Sequence, residues 1–504
     1  MAQSKRQDCS RQAEESLFQF DNTYALLPER FYARLAPTKV SAPRLICVNR
    51  PLAEELGLDP GWLASQDGVA ALAGNSVPEG ADPLAMAYAG HQFGHFVPQL
   101  GDGRAILLGE VRARDGARYD VQLKGCGRTP FSRNGDGRAA LGPVLREYIL
   151  SEAMHAFGIP TTRALAVVAT GEMVLREQGM LPGAVLTRVA KSHVRVGTFE
   201  FFAGRGDAEG VENLADYVIE RLYPNAAAAP NPYLSLLEAT IARTAGLIAR
   251  WQLVGFIHGV MNTDNASIAG ETIDYGPCAF IDTYHPATVF SSIDHGGRYA
   301  YDRQPRIAYW NLSRFAQTLF PLLGKREDQA RDAAQKALDA YPALFDMAYM
   351  AGLRGKFGFT ESRDGDVELG RAFFRLMTES RADFTLAFRR LCDSAEGCDD
   401  GLGALFGERA ALAEWLASWR QRLAPEDILP ADRAAGMRAV NPAFIPRNHR
   451  VEAAIVAAQE RGDFAPFEEL LKVLSAPYDE RSEFARYADP PQPNEIVRQT
   501  FCGT

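Results

Sequence analysis

Two short polar stretches carry the side chains best suited to chemistry: His258-Gly259-Val260-Met261-Asn262-Thr263-Asp264-Asn265 and Ile273-Asp274-Tyr275-Gly276. Asn265 and Asp274 stand nine residues apart, and Ala266-Ser267-Ile268 with Thr272-Ile273 predicts a short hairpin between them. Such a hairpin brings an amide oxygen and a carboxylate to one end. A few hard oxygen ligands, completed by phosphate oxygens, suit Mg2+ or Mn2+. Asp264 precedes the amide ligand directly and is the nearest carboxylate to accept a proton. Its plain structural reading is an Asx turn in a polar loop.

A second set lies upstream. Residues 101–148 hold nine of the 44 glycines, about twice their share, and nine Lys/Arg against six Asp/Glu. Glycine admits backbone N–H groups close to an anion, and the local positive excess favours phosphate. Gly101-Asp102-Gly103-Arg104 precedes a strand, which excludes a P-loop or a dinucleotide fingerprint, since both run strand, loop, helix. The elements that position this set are a strand over 105–112, a turn at Asp115-Gly116, a return strand over 118–124 ending on Lys124, a Gly/Arg-rich loop over 125–138 and a helix from Pro143 bearing Glu147. Glycine loop, strand lysine and helix glutamate is the layout of a kinase small lobe. The His258 stretch and the Asp274 turn then match the kinase loop that supplies base and metal ligands, with one departure. Val260 stands where that loop carries its aspartate, which argues against ordinary γ-phosphoryl transfer and leaves Asp264 as the substitute. Arg188, Lys191, His193 and Arg195 fall within eight residues on a predicted strand. Such residues are usually solvated edge charges, but arginine forks also hold phosphates well.

Around these motifs, 163–175 and 183–202 predict strands, 233–258 a helix, 259–283 a strand-turn-strand patch, and the chain beyond about 310 a series of alanine-rich amphipathic helices. Residues 1–80 read as a polar arm and irregular, proline-punctuated structure. The chain of 504 residues has Lys+Arg 54 against Asp+Glu 63, a net charge of -9, which excludes a general nucleic-acid coat. Seven cysteines without a Cys-x-x-Cys pair exclude a zinc ribbon or disulfide framework and point to a reducing compartment. The absence of a secretory signal or a long apolar run predicts a cytoplasmic protein without a membrane partner.

With these residues in view, the sequence resembles the selenoprotein O family. The resemblance is carried by Gln99-Leu100-Gly101-Asp102-Gly103-Arg104, Gln122-Leu123-Lys124-Gly125, Gly135-Asp136-Gly137-Arg138, Leu145-Arg146-Glu147-Tyr148, Gly259 through Asn265 and Ile273 through Pro277. It runs from Phe20-Asp21-Asn22 past Arg447-Asn448-His449 to Cys502. It implies an α+β, protein-kinase-like bilobal fold with an extended, mainly helical C-terminal region. The implied segments are an N-terminal extension (1–83), a small lobe (84–205), a catalytic segment (206–310) and the helical region (311–504). The implied activity is transfer of AMP from ATP, bound in reversed orientation, to Ser, Thr or Tyr hydroxyls of proteins. Gly101, Gly103, Arg104, Lys124, Asp136, Gly137, Arg188, Arg195 and Asp274 would contact ATP. Asn265 and Asp274 would bind Mg2+ or Mn2+, Glu147 would support Lys124, Asp264 would accept the proton, and Cys502 is the candidate for redox control. The partners implied are ATP and protein substrates, with no nucleic acid. UMP transfer from UTP, a conventional phosphotransferase and an inactive nucleotide-binding scaffold are the competing readings; Val260 argues against the phosphotransferase, and the intact Lys124, Asn265 and Asp274 set against the scaffold.

Overall fold

Alternating apolar residues build one antiparallel sheet in the computed structural model, which describes residues 18–497 and Thr500. Its strands are β1 (Tyr32–Arg34), β2 (Arg44–Val48) and β3 (Leu84–Met86), then, past the small separate hairpin β4 (Gly90–Gln92) and β5 (His95–Val97), β6 (Ala105–Arg112), β7 (Arg118–Lys124), β8 (Ala139–Ala140), β9 (Arg163–Arg176) and β10 (Gly179–Ala190). The order across the sheet is β1-β3-β6-β7-β10-β9-β2, with β8 pairing β10. Ile106, Leu108, Val121, Leu123, Val185 and Val189 face one core from this sheet. The β6–β7 turn forms as predicted, with Gly116 at φ +82 and Asp115 Oδ1 accepting from the Ala117 N–H at 2.9 Å. The sheet belongs to a first compact unit comprising residues up to 87, 100–140 and 163–192.

The early segment is more regular than its prolines suggest. Asn49, Asp59 and Ser65 cap three short helices, α1 (Arg50–Glu55), α2 (Pro60–Leu63) and α3 (Gln66–Leu72), and proline opens the first two. Proline at the start of a helix loses no hydrogen bond, so it initiates rather than breaks. Leu52, Leu63 and Leu72 complete the core of the sheet.

The second unit holds 88–99, 141–162 and the chain from 193 onward. It contains α4 (Leu141–Ala156), α5 (Val196–Ala203), α6 (Ala208–Leu222), α7 (Pro232–Val254), the two-residue strands β11 (Phe256–Ile257) and β12 (Ala279–Phe280), α8 (Gln304–Thr318) and further helices as far as Ala465–Leu474. The fold is therefore α+β with a helical C-terminal region. Among the described residues no helix is long and apolar enough to cross a membrane. Cys502 lies outside the described residues.

Three local expectations change. The strand predicted over 183–202 ends at Ala190, and its second half is α5. Thr198 Oγ1 accepts from the Arg195 N–H at 3.1 Å to start that helix, and Phe199 and Phe202 are buried on it, so packing overrides β propensity. Segments 266–268 and 272–273 do not pair with each other. Ser267 bridges Arg195 and Thr272 bridges Thr161, because both find partners elsewhere in the unit. The strand-turn-strand patch at 259–283 reduces to β11 with β12, and β11 begins inside the predicted 233–258 helix because Gly255, at φ +73, ends α7.

A buried ion cluster ties the C-terminal helices to the segment that follows Asp274. Arg447, 1% exposed, donates at 2.6 Å to both Asp282 and Asp383, and to Ala488 O at 2.8 Å. Removing the cation leaves two carboxylates facing each other in a desolvated site. Arg447→Ala is expected to lower stability by about 3–5 kcal/mol in urea unfolding; a loss under about 1 kcal/mol would show that the cluster is incidental.

Candidate active site

The polar loop after β11 is held open by side chains that reach it from four directions within the second unit. His258 lies buried against Trp251, ring centroids 5.4 Å apart, with Nε2 2.8 Å from Ile273 O. Burial holds its ring below the usual histidine pKa, so it is neutral and Nε2–H is the donor. That bond ties the start of the loop to the residue before Asp274. Asn262 Oδ1 accepts from the Tyr299 hydroxyl at 2.6 Å and from the Phe93 N–H at 3.0 Å. Thr263 Oγ1 accepts from the His91 N–H at 2.6 Å and donates to Glu200 at 2.5 Å, while His91 Nδ1 meets the other Glu200 oxygen at 2.6 Å.

These contacts present Asp264, which is 7% exposed. One carboxylate oxygen, Oδ2, accepts from Gln92 Nε2 at 3.2 Å; the other, Oδ1, is buried with no hydrogen-bond partner. Burial pushes the carboxyl up to about 6, against the opposing pull of Gln92 and Arg195. The site is closely fitted to this side chain: a Cβ at Gly90 would fall 2.6 Å from Oδ1, and one at Gly197 would collide with Ala89 O.

Arg195 joins the loop to the Asp274 turn. Its side chain is 3% exposed, its guanidinium lies 4.8 Å from the Tyr88 ring, and Nη1 donates both to Asp264 O at 2.5 Å and to the Asp274 carboxylate. Asp274 sits at φ +60 with its side chain 20% exposed. Asn265 Nδ2 donates to Val260 O at 2.9 Å, which fixes the orientation of the amide. Among the described residues no group of three His, Cys, Asp or Glu has metal-site geometry. The Asn265 amide and the Asp274 carboxylate offer hard oxygens of the kind that suit a cation such as Mg2+.

The other predicted residues lie in the first unit, apart from Glu147, which is 4% exposed on α4 of the second. Gly101, at φ +78, packs on Phe131, and Gly103 on the backbone of Phe131 and Ser132, so neither place admits a side chain. Ser132 Oγ donates to Gly103 O. Lys124 ends β7 opposite Ala105 and Leu186, and the next N–H, of Gly125, donates to Arg104 O at 2.7 Å. Arg188 is not an edge charge: β10 is central, Arg188 is 1% exposed and donates to Gln122 Oε1 at 2.6 Å. Gln122 Nε2 in turn donates to Asp102 at 3.1 Å. Partial burial would raise the Asp136 carboxyl, but Arg176 and the Arg138 N–H outweigh it and hold it low. Gly137, at φ +70, abuts the Gly127 carbonyl.

Sequence reasoning singled out Arg195, Asp264, Asn265 and Asp274, and the structure brings Arg195, Asp264 and Asp274 into direct contact beside Asn265. It passed over Tyr88, Gly90, His91, Gln92 and Glu200. The signal for them was present in Gly90-His91-Gln92-Phe93-Gly94-His95, a polar hairpin with Gly94 at its turn and Gly90 at the start of its first strand.

A buried carboxyl with a raised pKa weakens the fold as it ionises. The native pKa of about 6 exceeds the ordinary value of 3.8, so stability falls as pH rises from about 4 to 6, and the full cost, about 3 kcal/mol, applies above that range. Asp264→Asn is expected to be more stable than wild type by about 2–3 kcal/mol at pH 8 and nearly equal at pH 4. Unfolding curves at both pH values check this; a pH-independent difference would contradict the burial.

The sequence model of the family described as "Protein adenylyltransferase SelO" matches residues 15–475. A "Protein nucleotidyltransferase YdiU" from Rhodopseudomonas palustris (strain BisB5) is 64% identical over 490 residues, 97% of this chain and 99% of that protein. Proteins of the same name from Bradyrhizobium sp. (strain BTAi1 / ATCC BAA-1182) and Bradyrhizobium diazoefficiens are 63% and 62% identical, each over 488 residues, 97% of this chain and 99% of theirs.

Proposed function

The chain belongs to the SelO family of protein adenylyltransferases, and from that premise we propose that it moves AMP from ATP to Ser, Thr or Tyr hydroxyls of proteins on a kinase-like fold, with ATP held in reverse. It is an enzyme of the nucleotidyltransferase class. The observation that carries the finer reading is Asp264, a buried carboxylate with a pKa of about 6, one residue from Asn265 and joined through Arg195 to Asp274.

In this reading Asp264 orients the acceptor hydroxyl and takes its proton as the oxygen attacks the α-phosphorus in line and pyrophosphate leaves. The oxygen that lacks a hydrogen-bond partner, Oδ1, is the one open to that proton. Asn265 Oδ1 and the Asp274 carboxylate are the ligands for Mg2+ or Mn2+, and their hard oxygens fit either ion. When bound, that ion neutralises charge on the phosphates. Gly101, Gly103 and Gly137, packed on Phe131, Ser132 and the Gly127 carbonyl, hold the loops that would line the nucleotide, and Arg104, Lys124, Arg188 and Arg195 supply the positive charge that a reversed triphosphate requires. Asp136 shapes the 125–138 loop through Arg176, and Glu147 serves Lys124. In this reading residues 84–205 hold nucleotide, 206–310 carry the chemistry and 311–504 brace it, with 1–83 an N-terminal extension that supplies β1, β2 and α1–α3 to the sheet and its core.

ATP labelled at the α- or the γ-phosphate, incubated with enzyme, divalent metal and protein lysate, tests the reading. Protein label from α alone, with an added AMP by mass spectrometry, is the expected result. Label from γ would establish a phosphotransferase, preference for α-labelled UTP a UMP transferase, and no label a scaffold. Asp274→Ala and Lys124→Ala should each lower transfer at least about 100-fold with unchanged circular dichroism, a loss typical of removed charge-stabilising groups. Full activity in either removes its assignment.

The base also sets the pH response. Transfer at subsaturating substrate should rise about tenfold per pH unit below 6 and level off above it, because only the ionised Asp264 accepts a proton. A profile flat from pH 5 to 7 would exclude Asp264 as the base.

A further inference from the structure

We propose that Arg195 is a placeholder for the divalent cation: its guanidinium holds the Asp274 carboxylate until nucleotide phosphates draw it away, so that cation and nucleotide bind cooperatively. The inference rests on the reading of Asn265 and Asp274 as the cation's ligands.

Arg195 is poorly placed to act as an outlying phosphate clamp. Its side chain is 3% exposed, and the guanidinium lies against the Tyr88 ring, 4.8 Å from the centroid. Nη1 is shared between the carbonyl of Asp264 and the carboxylate of Asp274. One nitrogen thus fixes the distance between the base-bearing loop and the ligand-bearing turn. Asp274 in turn is held at φ +60, a backbone region that aspartate tolerates better than most residues but seldom occupies without a reason.

A carboxylate bound by a guanidinium at hydrogen-bond distance cannot also receive a dication without setting three positive charges side by side. The cation must displace the guanidinium or bind weakly. Displacement alone takes a buried arginine off the Asp274 carboxylate, which is costly in a desolvated site. A triphosphate removes both difficulties. Its oxygens complete the shell of the cation and offer the displaced fork a bidentate anionic partner. The coupling is reciprocal: whatever factor nucleotide contributes to cation affinity, cation contributes to nucleotide affinity. The same ion pair keeps the turn in register with Asp264 while no triphosphate is bound, so the arrangement needs little rebuilding when substrate arrives.

Mn2+ binding to the full-length chain, read by electron paramagnetic resonance with and without α,β-methylene-ATP, tests this independently of catalysis. Wild type should bind Mn2+ at least tenfold more tightly with the analogue than without it. Arg195→Gln should bind Mn2+ alone about five- to tenfold more tightly than wild type and lose most of the enhancement by nucleotide. Arg195→Lys, which keeps the charge but not the planar fork, should fall between them and guards against misfolding of the glutamine variant. Equal or weaker Mn2+ binding in both variants, each with native circular dichroism and melting, overturns the placeholder role while leaving the ligand assignment intact. Undiminished Mn2+ binding in Asp274→Asn overturns the ligand assignment, and the placeholder with it.

Discussion

The desolvation of one carboxylate organises this part of the molecule. Asp264 is buried with a single side-chain donor on it, and ionising it there costs about 3 kcal/mol relative to water. A fold with a typical margin of about 5–15 kcal/mol gives up a substantial part of that margin for one residue. The cost is met by contacts that hold the loop rather than the charge. Glycine at 90 leaves room for the side chain, glycine at 197 lets the Ala89 carbonyl approach, and Arg195 grips the carbonyl of Asp264 instead of its carboxylate. A guanidinium placed directly on the carboxylate would have lowered its pKa and removed its basicity. Placed on the backbone, it supplies a milder field and leaves Oδ1 for a proton.

The remaining polar contacts follow from that requirement. Thr263 and Asn262, the two residues before Asp264, are each fixed by two hydrogen bonds from other elements, through His91 and Glu200 on one side and Phe93 and Tyr299 on the other. His258 fixes the Asp274 turn through Ile273, and Arg447 anchors Asp282 farther along the same segment. None of these groups carries charge to a reacting atom. They restrict where Asp264, Asn265 and Asp274 can be, and tight placement of reacting groups is among the larger sources of rate that a protein can supply.

The parts legible in the sequence were those with local causes. Strand alternation, the Asp115-Gly116 turn and the helical periodicity of 233–258 depend on neighbours along the chain, and they formed as expected except that the helix ends at Val254. The loop motif stood out because its polar residues crowd into two short stretches, and Arg195 joins those stretches in the structure. What failed was non-local. Val196 to Ala203 has strand composition but is helical because Phe199 and Phe202 are needed inside, and Ser267 and Thr272 pair with distant segments rather than with each other. Arg188 read equally well as an edge charge, because nothing local reveals that β10 is central. The hairpin at 90–97 escaped notice for a similar reason. Gln92 is significant only because residue 264 folds back onto it, a separation no local pattern encodes.

Val260 gains meaning from the same geometry. In a kinase loop this position carries the base; here its side chain is buried and apolar, while its carbonyl accepts from Asn265 Nδ2. The position has changed from chemistry to orientation. In the reading proposed above, the base stands four residues along, in the short turn that also carries Asn265, which makes proton acceptor and cation ligand consecutive residues of one 3-10 turn. Consecutive side chains on such a turn diverge by about a third of a revolution. The two can serve the attacking oxygen and the phosphate from different sides while sharing one rigid backbone. A displacement of Asp264 would then carry Asn265 with it, so the two proposed roles would be kept in step by a single peptide bond.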